Sequence, residues 1–262
     1  MTGRRKPASP TSWEPVKKWY QGAVGDEGHY YHKNIILPGI KRMMNLEEAK
    51  NASILDLACG QGVLARNIPE KILYVGVDAS PSLIKEAKRL DKNPLHEYIV
   101  SDITKPLPKQ KQLFSFCTIL LAIQNIEKPE LAFQNAAKNL KENGSLIIVM
   151  NHPCFRIPRQ SSWQVDKEHK IQYRRLDRYF SPLKIPINAH PSKGQASPTT
   201  WSFHYPLSQY TQWLKQAGFV ISGIEEWCSD KVSEGGAAKM ENRSREEFPL
   251  FMTIVAKKVP SA

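Results

Sequence analysis

The sequence predicts an α/β fold built on a mostly parallel sheet. Three observations predict it. Short apolar runs alternate with helical patterns from residue 54 onward, which is how parallel strands with crossover helices read. A glycine-rich turn, DLACGQG, follows the first of these runs. Two further apolar runs near the carboxyl end, VISGIEEW and PLFMTIVAKK, close the chain as a strand pair.

Taken in order, SILDLA reads as a buried strand and GVLARNI as a short helix opened by the glycine turn. ILYVGVD is a second strand. PSLIKEAKRL is a helix with Pro81 at an early helical position, where its missing N–H costs nothing. EYIVSD, LFSFCTILLA and SLIIVM are three more strands. PELAFQNAAKNLKENG between the last two is an amphipathic helix, with Gly144 as its expected C-cap. Residues 13–46 precede the first strand and contain two expected helices together with a cluster of aromatics and glycines. Residues 151–205 are proline-rich and lack clear periodicity, and a connection that long inside a compact domain is usually functional or disordered. Within it, KIQYRRLDRYF reads as a strand or hairpin arm. PLSQYTQWLKQAGF returns to a helix ending near Gly218. SDKVSEGGAAKMENRSREEF reads as a polar loop between the last two strands. The expected organisation is a disordered basic tail at 1–12 and one domain at 13–262, with an N-terminal lid at 13–50 and a substrate-side insert at 151–205.

Composition narrows the classes. No run of about 18 apolar residues exists, so no membrane span is expected. The N-terminus lacks the apolar stretch of a secretory signal. Cys59, Cys117, Cys154 and Cys228 lie far apart without a Cys-x-x-Cys pair, which suggests neither zinc nor a disulfide framework and suits a reducing cytoplasm. The net charge of +12 is uneven: residues 1–18 carry +4 and residues 156–193 carry +6. Such patches attract anionic partners, whether nucleic acid or acidic small molecules, or serve solubility alone.

The glycine turn is where ligand chemistry enters. Gly60 and Gly62 allow backbone to approach a ligand without a Cβ in the way. The same run fits the dinucleotide pattern G-x-G-x-x-A, so a nicotinamide enzyme is an alternative. Asp56 argues against it: a carboxylate repels a pyrophosphate but suits the cationic amino-acid part of S-adenosylmethionine. Asp78, ending the second strand beside Ala79 and Ser80, can accept hydrogen bonds from both ribose hydroxyls. Asp102 after the third strand can accept from an adenine amino group while the amide of Ile103 donates to the ring. Leu121 and Ala122 end the fourth strand and would line the pocket.

That succession of acids and glycines on successive strands resembles the core of class I S-adenosylmethionine-dependent methyltransferases over residues 54–150. The resemblance implies a Rossmann-like seven-stranded, mostly parallel sheet with an antiparallel last strand, S-adenosylmethionine as cofactor, and a cofactor-binding set that includes Ala58, Ala79 and Ser80. A narrower resemblance, carried by VGDEGHYYHKNIILPGI and MNHPCF, is to bacterial type-11 methyltransferases, many of which act on small molecules. It implies that Tyr20 and Tyr30 or His32 help close the cofactor pocket.

Methyl transfer from a sulfonium is an in-line displacement in which alignment does much of the work. A base helps when the acceptor is a hydroxyl. His152, directly after the fifth strand, is the first candidate base and His204 a weaker one. Phe155, Trp163, Tyr179, Phe180, Trp201 and Tyr205 could wall an acceptor pocket. The insert arginines Arg156, Arg159, Arg174, Arg175 and Arg178, with Arg174 and Arg175 foremost, suit an acidic acceptor group. No Asn-Pro-Pro-Tyr-like run follows the fourth strand, which reads LAIQNI. The expectation is a small-molecule methyltransferase, the acceptor anionic or aromatic. The alternatives are an RNA or protein methyltransferase docking through the insert and tail, and a non-catalytic binder of the cofactor.

Overall fold

The computed structural model describes residues 13–49, 51–188, 197 and 199–259. The tail expected at 1–12 lies outside them. A seven-stranded sheet is made by β1 (Ser53–Leu57), β2 (Leu73–Asp78), β3 (His96–Val100), β4 (Phe114–Leu120), β5 (Leu140–Asn151), β10 (Phe219–Trp227) and β11 (Phe251–Lys258), in the order β10-β11-β5-β4-β1-β2-β3. The first five are parallel, and β11 runs antiparallel to both β5 and β10. Strand β1 sits between β2 and β4 with all five residues buried, as suits a central strand covered on both faces. Strand order reverses between β1 and β4. In such sheets, ligands bind at the carboxyl ends beside that switch.

Helices cover both faces. On one face, α4 (Pro129–Asn139) buries Ala132, Phe133 and Ala136, and α5 (Leu207–Gln216) buries Tyr210 and Leu214. On the other lie α1 (Lys17–Val24), α2 (Leu37–Met44) and α3 (Pro81–Leu90). Helix α3 starts as its sequence dictates. The Ser80 hydroxyl accepts from the Leu83 amide at 3.2 Å, Pro81 follows, and Leu83, Ile84 and Ala87 point inward.

Three expectations are corrected. GVLARNI does not form an α-helix; only Ala65–Asn67 makes a 3-10 turn. Gly60 and Gly62 are left-handed, and the carbonyls of Gln61 and Gly62 are taken by the Arg66 guanidinium instead of by a helix ladder. Gly144 does not cap α4. The helix stops at Asn139 because Leu140 turns extended and inserts, fully buried, into the core, so β5 begins there and Gly144 lies within it. The expected polar loop before β11 contains a helix, α6 (Ala238–Glu247). Its sequence has no apolar stripe. It is held instead by polar contacts, among them Ser244 Oγ to Gln172 O at 2.9 Å and Asn242 bonded twice to Ser233.

The insert is two hairpins. β6 (Ser161–Asp166) pairs with β7 (Ile171–Leu176), and β8 (Leu183–Asn188) pairs with β9 (Thr199–His204), each a separate two-stranded sheet. No helix among the described residues is long and apolar enough to cross a membrane.

Candidate active site

A cavity of about 910 Å³ opens at the carboxyl ends of the parallel strands. Its floor is made by strand-end residues: Ala58 and Gly60 after β1, Asp78 and Ala79 after β2, Asp102 and Ile103 after β3, Leu121 and Ala122 after β4. Eight sequence-predicted residues are thus brought together by the sheet, because parallel strands deliver consecutive termini to one edge.

Asp78 organises the floor. Its Oδ2 accepts the Gly60 amide at 2.9 Å and its Oδ1 the Ser80 amide at 2.8 Å. Burial pushes its pKa upward against those two hydrogen bonds. Gly60 is left-handed, and a Cβ there would lie 2.8 Å from the Tyr20 hydroxyl, so this turn needs glycine on two counts. Asp102 accepts through Oδ1 from the Thr104 amide and hydroxyl, leaving Oδ2 with Lys105 at a distant 3.8 Å.

Asp56 is placed differently from the sequence expectation. It is buried beneath the floor and absent from the lining, its Oδ1 taking the Thr118 hydroxyl and its Oδ2 the Tyr74 hydroxyl, both at 2.7 Å. Burial pushes its pKa up to about 6. Asp56 therefore ties three strands together rather than facing a ligand amine. Gly62 is also behind the floor, where a Cβ would meet the Tyr98 hydroxyl at 2.7 Å. Ser80 is fully buried as the α3 cap and also donates to Glu14.

The N-terminal segment forms one wall. Trp13, Trp19, Tyr20, His29, Tyr31 and His32 line the cavity. Trp13 stacks on Trp19 and meets Tyr20 edge-on. The segment is fastened by Glu14, which accepts from Ser80 Oγ at 2.5 Å and Ser82 Oγ at 2.6 Å. Partial burial works to raise the pKa of Glu14, but these bonds and Lys17 outweigh it and hold it at about 2. His32 is driven the other way, down to about 3 by burial and the neighbouring His29, so it is a neutral imidazole with its Nδ1 unpartnered. Tyr30 does not line the cavity; its hydroxyl donates to Asp230 on the outer surface.

Both expected bases are outside the lining. His152 is buried with Nε2 against Glu226 at 2.6 Å, and His204 is buried with Nε2 against the Tyr179 carbonyl at 2.6 Å. His152 stands where the chain enters the insert and His204 where it leaves, and each ring is committed to a structural hydrogen bond. His204 borders only a recess of about 20 Å³ beside the main cavity.

Of the expected acceptor residues, Arg174 alone lines the main cavity. Trp163 and Phe155 stand behind it, both edge-on to Phe248. Arg175 faces outward in a pair with Asp177, and Phe180 is 77% exposed. Tyr179 accepts the Leu207 amide, Trp201 lies under Lys184, and Tyr205 packs on Trp213. Sequence reasoning left Gln124 and Asn151 out of the lining and did not single Arg156 out from the other insert arginines. Only the position of Gln124 after β4, of Asn151 at the end of β5 and of Arg156 just beyond it could have marked them, since strand ends converge on the cavity.

These residues fit an adenosyl sulfonium cofactor better than a dinucleotide. Carboxylates at the ends of β2 and β3 match ribose and adenine donors. The glycine turn opens onto a three-residue 3-10 turn, without the long helix whose N-terminus would hold a pyrophosphate.

Residues 55–148 match the methyltransferase domain family. Among curated proteins none matches. The fold is similar to that of an S-adenosylmethionine-dependent methyltransferase from Mesorhizobium loti, at a TM-score of 0.63 and 23% identity over 84% of this chain and 96% of the other. It is also similar to a putative S-adenosylmethionine-dependent methyltransferase from Listeria monocytogenes, at 0.60 and 24% identity over 85% and 100%. A third solved relative is a cofactor-bound amino pentose methyltransferase from Micromonospora echinaspora, at 0.60 and 14% identity over 92% and 96%. These likenesses establish the fold, and the match over residues 55–148 is to a methyltransferase domain of the type-11 kind, which supports an enzyme that uses S-adenosylmethionine.

Proposed function

We propose that this class I methyltransferase transfers its methyl group to a small molecule bound beneath the insert. The observation that carries the reading is the cavity at the strand ends. Strand-end carboxylates line it together with Arg156 and Arg174 from the insert, and its volume of about 910 Å³ lies at the upper end of small-ligand sites. That is room for a nucleoside cofactor and one modest acceptor.

When bound, the cofactor supplies a methyl group made electrophilic by its sulfonium. The chain's own residues do the rest. Asp78 accepts from the ribose hydroxyls while its two backbone bonds hold its rotamer. Asp102 and the Ile103 amide read the adenine edge. Tyr20 and His32 close the N-terminal wall, and with residues 13–49 they act as a lid that excludes water. The insert would hold the acceptor in line with the methyl group that the cofactor would supply, so that alignment does much of the work. His152 has no part as base in this reading. Its ring is committed to Glu226, and an amine or carboxylate acceptor needs only alignment.

The test is methyl transfer from labelled S-adenosylmethionine to separated small-molecule, RNA and protein pools of a cell extract. Label in the small-molecule pool supports the reading. Label in RNA or protein overturns it, and an RNA acceptor would also show activity falling steeply with salt.

A further inference from the structure

Two guanidinium groups face the acceptor side of the cavity without a carboxylate partner. Arg156, on the turn after β5, and Arg174, in β7, both line it. Both also lie on the Trp163 ring, with centroid distances of 5.4 and 5.0 Å. Arg174 is fixed from behind: its Nε donates to the Phe155 carbonyl at 2.9 Å and one Nη to Ser161 Oγ at 2.9 Å. The Nε of Arg156 is buried without any hydrogen-bond partner. Among the described residues neither arginine makes a salt bridge, although Arg42, Arg89, Arg175 and Arg245 all do. The residues outside the described set include no Asp or Glu that could supply one.

This arrangement costs stability in the free protein. Burial lowers Arg156 to about 10, with Arg174 adding repulsion, yet the group stays charged at neutral pH. Partly buried cations held together without counter-charge are disfavoured unless an anion completes them. The carboxylates that do line the cavity are otherwise engaged. Asp78 holds two backbone amides, Asp102 holds Thr104, and Glu127 pairs with Lys184 at 3.2 Å. Beside Arg156 stands Gln124. The two border both the main cavity and the small recess beside it, and Gln124 Oε1 is a buried acceptor with no donor.

Resting on the small-molecule reading above, we propose that the acceptor carries an acidic oxyanion, a carboxylate or a phosphate, gripped by Arg156 and Arg174, with a hydrogen-bond donor of the same molecule reaching Gln124. The free fork of Arg156 matches two oxygens of such a group, and charge-assisted bonds of this kind are the strong ones. Trp163 supports both guanidiniums from its ring face, so the pair is set before the acceptor arrives.

The experiment divides the small-molecule pool of the extract on an anion exchanger. Retained acids and the unretained fraction are each incubated with the full-length protein and labelled S-adenosylmethionine. Label should enter the retained acids, and phosphatase treatment of that fraction before assay separates phosphate from carboxylate acceptors. Arg156→Gln and Arg174→Gln should each raise the apparent KM for the acid fraction at least tenfold. Affinity for S-adenosylhomocysteine, read by calorimetry, should stay within twofold, which also shows that the variants fold. Label in the unretained fraction overturns this inference and leaves the small-molecule reading standing. Label only in RNA or protein overturns both, as does absence of label from every pool. Loss of S-adenosylhomocysteine binding in both variants, with their thermal stability intact, assigns the arginines to the cofactor's own carboxylate and likewise overturns it.

Discussion

The two halves of the cavity are built by opposite means. The floor comes from the ends of parallel strands, where the acids are already hydrogen-bonded to neighbouring amides and hydroxyls. Asp78 holds two amides, and Asp56 below it joins Tyr74 and Thr118. The roof comes from hairpins and a polar helix outside the main sheet, seated by aromatic edges around Phe248, and it carries Arg156 and Arg174 without a carboxylate partner among the described residues. The difference teaches where each kind of specificity resides. The floor is organised by the core, and in the proposed function it serves the cofactor, whereas the roof lies outside the main sheet and is the part proposed to set the acceptor.

The sharpest way to break this division is at Asp78. Asp78→Ala should cost about 4 kcal/mol of cofactor binding, on the order of a thousandfold, because it removes charged hydrogen bonds to the ribose and frees the Gly60 turn. Calorimetry with S-adenosylmethionine reads this, and an unchanged Kd would move the ribose elsewhere.

Asp56 sharpens the contrast within the floor, since it should matter through stability. Its pKa is raised to about 6 in the fold. The stabilisation of its protonated form is therefore complete below the ordinary carboxylate value and is lost as pH rises toward 6. Asp56→Asn removes that loss. The unfolding free energy of the variant minus that of the parent should grow by about 3 kcal/mol between pH 3.5 and pH 7. Urea melts across that range measure it, and a flat difference would mean that Asp56 ionises freely.

The roof should respond in the reverse sense. Phe248→Ala removes the ring on which Phe155 and Trp163 rest. Acceptor KM should rise roughly tenfold, an effect of about 1.4 kcal/mol, with cofactor Kd held within about twofold. A parallel loss of cofactor binding would show that roof and floor are one unit.

The smallest effect is expected at the fastening of the lid. Glu14→Gln weakens the bonds to Ser80 and Ser82. Cofactor affinity should fall about fivefold, and hydrogen exchange over residues 13–32 should rise in the cofactor-bound state. Unchanged exchange there would make the segment a fixed wall and not a lid.

The parts legible in the sequence are those where one local rule dominates. The parallel strands declared themselves as buried apolar runs, α3 by its Ser80–Pro81 start, and the floor residues by following successive strands. The helix α6 was hidden because its contacts, such as Ser244 to Gln172, are polar and come from residues far along the chain. The end of α4 was misplaced because burial of Leu140 outweighed the glycine signal at Gly144. His152 stood at the right edge of the sheet, but which way its ring turns depends on Glu226, 74 residues away.

By itself, then, the sequence determined the sheet, its glycine turn and the acids that a nucleoside cofactor requires, because strand periodicity and strand-end position are local properties. Only the tertiary structure decided that Asp56 is an anchor beneath the site, that the two histidines turn away from it, and that Arg156 and Arg174 meet over Trp163. Those outcomes depend on which oxygens and rings are already occupied by distant partners, and no local pattern encodes that occupancy.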